Sequence, residues 1–145
     1  MPNAIVMNTL TGAVSEYASF DFHAITPTHA GSVLGLYALG GDLDLDAKIV
    51  ANAATGRTLI GASAKKFVDC VYFSLEGSGR SAMRVYGERT YSYHFQVLDT
   101  GVSRATPGRG IRENYLAFGY TNADGSNFVL DRIEVNLAAS STRRI

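Results

Sequence analysis

The chain has 145 residues, enough for one domain that folds without a staple. Basic and acidic residues number 13 each, so the formal net charge is zero. That disfavours a dedicated nucleic-acid binder, which carries a basic excess. A single cysteine permits no internal disulfide and no cysteine-based zinc site, and no apolar run approaches the ~18 residues of a membrane span.

"MPNAIVMNTL" lacks the basic start and long apolar region of a signal peptide, so synthesis in the cytoplasm is the expectation. "AIVMN" and "AVSEY" read as strands 4–8 and 13–17 about the turn "TLTG", followed by strands 20–25 and 33–39. "DLDLDAKIV" spaces Asp42, Asp44 and Asp46 two apart, as an EF-hand loop begins. Such a loop needs Gly at its sixth position and Glu at its twelfth, where Ala47 and Ala53 stand. The reading is a strand entry with its carboxylates in water. Strands 48–53 and 57–61 follow, joined as a hairpin by "ATGR", and a helical turn or two near "GASAKKF" is the little helix expected.

The second half alternates. Val71, Phe73 and Leu75 share one face of strand 67–75, and its Cys70 reads as a small buried hydrophobe. "EGSGRS" leads to strand 82–87. In strand 89–98, Tyr91, Tyr93, Phe95 and Val97 oppose Ser92, His94 and Gln96. Strand 112–121 and strand 127–138, where Ile133, Val135 and Leu137 alternate with Arg132, Glu134 and Asn136, are separated by "NADG", a hairpin signal. The chain is therefore expected to be all-β: an antiparallel β-sandwich or barrel of about eight to ten short strands, some of these eleven ranges merging, with little helix, in one domain spanning 1–145.

Chemistry-bearing motifs are sparse. His23, His29 and His94 stand in no metal-binding pair, and no serine sits in a G-x-S-x-G setting. "GSGRS" and "GRGIRE" share only glycines with phosphate loops. No catalytic residue, cofactor or metal ligand is assigned, and the chain is read as a non-enzyme. The most distinctive segment holds Arg104, Arg109, Arg112 and Glu113. Gly108 and Gly110 flank Arg109, so the backbone can bend and present its guanidinium, whose planar fork suits a carboxylate. A subunit-contact loop competes here with a plain exposed loop and with a phosphate or nucleic-acid contact. The end "SSTRRI", with Arg143, Arg144 and Ile145, reads as an arm (about 138–145) that docks on a neighbour, as does the N-terminal strand (about 1–10).

"NTLTGAVSEY", "LYALGGDLD", "GRGIRENYLAFGYTNADGSNFVLDRIEV" and the terminal "RRI" together resemble small virion structural proteins of tailed bacteriophages. The resemblance spans nearly the whole chain and includes no catalytic motif. It implies a virion structural subunit without placing it in the particle. The leading reading is a homo-oligomer, a ring or trimer, in the tail or baseplate region of the virion, with itself and adjacent virion proteins as partners. The neutral charge and the lack of a long apolar run disfavour nucleic acid and membrane as partners. The alternatives are a capsid decoration or head-associated protein and a carbohydrate- or receptor-binding β-sandwich module.

Overall fold

The computed structural model describes residues 3–18, 21–61, 63–99 and 101–139. The protein is all-β, its sheets are antiparallel, and none of the described residues is helical. Where a helical turn was expected near "GASAKKF", Lys66 instead opens the longest strand pair of the fold. The chain divides into two compact units, Met1–Gly41 and Asp42–Ile145.

The first unit contains two small sheets. β1 (Asn3–Met7) and β2 (Val14–Ala18) form the expected hairpin. Its turn is organised by Asn8, whose side-chain oxygen accepts the Leu10 and Thr11 amides. β3 (Ala24–Ile25), β4 (His29–Ser32) and β5 (Gly35–Ala38) form a meander, so the strand expected at 20–25 is shorter and an unexpected one occupies 29–32. Ala30 is the one fully buried apolar residue among those described in this unit, whereas Ile5, Leu10, Val14, Val33, Leu34 and Leu36 are 63% to 94% exposed. The described residues of this unit thus bury almost no apolar surface.

The second unit opens with β6 (Leu43–Asp44) and β7 (Ala47–Lys48), a hairpin of two residue pairs. Leu45 takes a left-handed φ of 55° in its turn, so the aspartate run is a tight hairpin rather than a continuous strand. The rest is two packed sheets. One has the order β11 (Thr90–Gln96), β10 (Arg80–Tyr86), β14 (Ala117–Thr121), β8 (Asn52–Ala54). In the other, the central strand β9 (Lys66–Gly77) carries β15 (Phe128–Ala139) on one side. On its other side lie β12 (Val102–Ala105) and β13 (Arg112–Glu113).

The alternation explains the core. Val71, Phe73 and Leu75 of β9 face Met83 and Val85 of β10 and Phe118 and Tyr120 of β14, all buried. Phe73 stacks on Phe95 at 5.2 Å between centroids and tilts against Tyr120 at 5.6 Å. Tyr91, Tyr93 and Phe95 line the inward face of β11, as their spacing predicts, while Ser92, His94 and Gln96 are exposed.

Two expected hairpins are not hairpins. "NADG" joins β14 to β15, and these strands lie in different sheets. "ATGR" is not a hairpin either: β8 pairs with β14 through Ala54↔Gly119, and Thr58 then bridges Leu116. Residues 52–58 are therefore one interrupted edge strand along β14. The same device recurs on the other sheet. β12 pairs with residues 71–74 of β9 and β13 with residues 66–67, so 102–113 is a second interrupted edge strand. The arginine-glycine loop is the excursion between its two halves.

Candidate functional site

The loop from β12 to β13 is held from below. Ala105, Pro107 and Ile111 are buried, and Arg109 is exposed at the crest between Gly108 and Gly110. Gly110 adopts φ 116°, a conformation that a side chain would strain. Arg109 therefore projects from a fixed base, and its replacement leaves the anchors untouched.

The other candidates fall at separate places. Arg104 lies opposite Tyr72, which in turn lies opposite Glu134, so the three form a row across the outer face of the β9 sheet. The Cys70 thiol beside Tyr72 raises the phenol above its ordinary range, and the Arg104 charge pulls it back. Arg112 lies opposite Phe67 and places its guanidinium 5.7 Å from the ring centroid. It is half-buried, and its Nε has no hydrogen-bond partner among the described residues. Glu113 lies opposite Lys66 and packs on Gly87, where a Cβ would come within 2.6 Å of its side chain. Arg104 and Arg112 are thus roughly 16 Å apart along β9 at ~3.3 Å per residue, and no single pocket gathers the cluster. Arg143, Arg144 and Ile145 lie outside the described residues.

Cys70 is buried as expected, but not in the core. It pairs across the strands with Asn136, whose amide donates to its sulfur at 3.5 Å, on the outer side of the sheet. A register shift places Asp69 as an extra residue there and changes which side chains of β9 face inward. No group of three His, Cys, Asp or Glu among the described residues is placed to hold a metal ion. One shallow groove of about 360 Å³ is lined by Ala54, Thr55, Arg57, Tyr86, Gly87 and Thr90, and Arg57 donates to the Gly87 carbonyl at its rim.

The polar centre that the sequence hides is the "NADG" corner. Asn122 is buried: its Oδ1 accepts the Ala51 amide at 2.6 Å, and its Nδ2 donates to the carbonyls of Ile49 at 3.1 Å and Ser126 at 2.9 Å. Asp124 accepts the Arg80 amide at 2.8 Å and the Ser126 amide at 3.1 Å, which ties this corner to the one between β9 and β10. Gly125 has φ 70°, and a Cβ there would meet that of Lys48 at 2.5 Å. The turn composition marked the bend, but partners about 70 positions away in sequence left no local signal.

Those amides hold the Asp124 carboxyl below its ordinary range, the Arg80 amide first, with the Ser126 hydroxyl and amide adding. A lowered folded-state value means stability that is present above the ordinary carboxylate range and lost as pH falls through the folded value. Asp124→Asn should therefore reduce Tm most at neutral pH, with the gap from the parent closing as the pH falls through and below the ordinary carboxylate range. Thermal scans across that window check it, and a gap independent of pH would count against the linkage.

No protein-family model, curated protein or solved structure matches the chain.

Proposed function

We propose that the chain is a non-enzymatic structural subunit of a tailed-phage particle, in its tail or baseplate region, that binds copies of itself and neighbouring virion proteins. The observation that carries this reading is the first unit. Short hairpins with little burial are marginal in water, and apolar side chains left outside a core mark association surfaces. Here residues such as Leu10 and Leu34, 94% and 86% exposed, sit on small β elements that bury almost nothing themselves. The anchored, outward Arg109 adds a polar contact of the kind enriched at interfaces. The resemblance to tailed-phage virion proteins supplies the setting.

The test is a set of exposed-site variants. Leu10→Ser, Leu34→Ser and Arg109→Ala should each weaken self-association by roughly tenfold or more while leaving the Tm of the second unit within about 2 °C of the parent. Sedimentation velocity over a concentration series reads the first quantity and calorimetry the second. Unchanged assembly in all three variants would remove this assignment.

A further inference from the structure

Sheet edges are the places where a β protein meets another chain, and this fold treats its edges unequally. In the second unit, the β8 edge is interrupted at residues 55–57, and the β12–β13 edge is interrupted by the loop 106–111. β11 runs beside β12, the neighbouring edge of the other sheet. β15 is different. It is twelve residues long, pairs only with β9 among the described residues, and its inward side chains Phe128, Leu130, Ile133, Val135 and Leu137 stay half-exposed.

We infer that the free edge of β15 pairs with β15 of a second copy about a two-fold axis at Ile133, extending the sheet across two chains. The inference rests on the reading that the chain binds copies of itself, and it names the surface. The strand's own charges choose the register. Directly opposed residues of an antiparallel pair share a face, so a two-fold pairing must set outward residues against outward ones. Three charges of the strand are exposed: Asp131, an extra residue at a register shift against β9, and Arg132 and Glu134, 63% and 53% exposed and joined by a 2.9 Å ion pair within the strand. An axis at Arg132 opposes arginine to arginine, and one at Glu134 opposes glutamate to glutamate. An axis at Val135 sets Glu134 against Asn136 and Arg132 against Ala138, which leaves both charges without an opposite. The axis at Ile133 sets Arg132 against Glu134 twice and brings the two Ile133 side chains together on the inward face. With Asp131 left out of the pairing in both copies, as it is against β9, Leu130 then meets Val135 and inward residues stay opposed. Such an interface is self-complementary, as two-fold contacts must be. It also closes, because the far edge of the enlarged sheet is the interrupted β12–β13 edge and offers no continuous strand for another copy.

The experiment uses full-length charge variants and native mass spectrometry. Arg132→Glu places two glutamates opposite each other at both ends of the pair, and Glu134→Arg does the same with arginines. Each alone should weaken dimerisation at least tenfold, roughly the penalty of turning two opposed pairs from attractive to repulsive. Mixed in equal amounts, they should form a heterodimer at close to parental affinity, because every glutamate then meets an arginine. Neither variant has the ion pair within its own strand, so restored monomer stability cannot produce that result. Dimerisation of the single variants at parental strength, or failure of the mixture to pair, would overturn the inference. A parental oligomer untouched by all of these changes would overturn this surface and leave self-assembly standing. A parent that is monomeric throughout would overturn both.

Discussion

Phe73→Ala should lower the unfolding free energy of the second unit by about 3–5 kcal/mol, the usual cost of deleting a buried phenyl ring. Phe73 is fully buried at the centre of the interface between the sheets, stacked on Phe95 and tilted against Tyr120. Its removal leaves a cavity bordered by two further rings that are held by their own strands. Domain stabilities run to about 5–15 kcal/mol, so the loss is a large share of the total and corresponds to a Tm drop of about 15–30 °C. In urea the midpoint should fall while the slope stays unchanged, because the surface exposed on unfolding is nearly the same. Phe73→Leu, which keeps most of the volume, should cost less than half as much. An alanine variant within about 1 kcal/mol of the parent would mean that the two sheets do not pack as described.

Asn122→Ala is the second large effect, and it acts through polar groups. The substitution leaves the Ala51 amide and the carbonyls of Ile49 and Ser126 without their partner. A buried polar group left unpaired costs about 1–3 kcal/mol, and water can reach some of these three, so a total of about 2–4 kcal/mol is expected. Asn122→Asp separates the contributions, since it keeps an acceptor for Ala51 but loses both donations. It should be no better than alanine, because it sets a carboxylate against two carbonyl oxygens. Equilibrium unfolding of both variants checks this. If aspartate were tolerated as well as asparagine, the donated bonds would carry no weight.

The two halves of the chain differed in legibility. In β11 and β15 the period of two set one face inward, and the structure keeps Tyr91, Phe95, Ile133 and Val135 on that face. Cys70 was rightly expected to be buried, and its outer position follows from the alternation that turns Val71, Phe73 and Leu75 inward. What alternation cannot reveal is the extra residue at Asp69, which brings Val68 to the inward face as well. "NADG" was correct as a bend and wrong as a hairpin, and "ATGR" is a break within one edge strand. Turn residues report local backbone geometry, whereas pairing partners are chosen by contacts across the core. Residues 102–105 were missed as a strand because Gly101, Pro107 and Gly108 punctuate the chain on either side of a four-residue segment, and its four pairs depend on β9, some thirty positions earlier. The candidate arginines were visible by composition. Their dispersal over the crest, the outer face and the Phe67 contact was not, since it is set by where the edge strand breaks and resumes.

The most direct test of the account is the native mass of the intact protein over a wide concentration range. A discrete species of two or more copies that persists on dilution is the expected result, in keeping with an exposed apolar first unit and an open β15 edge. A single-copy mass at every concentration would contradict the claim that this chain exists to assemble with itself.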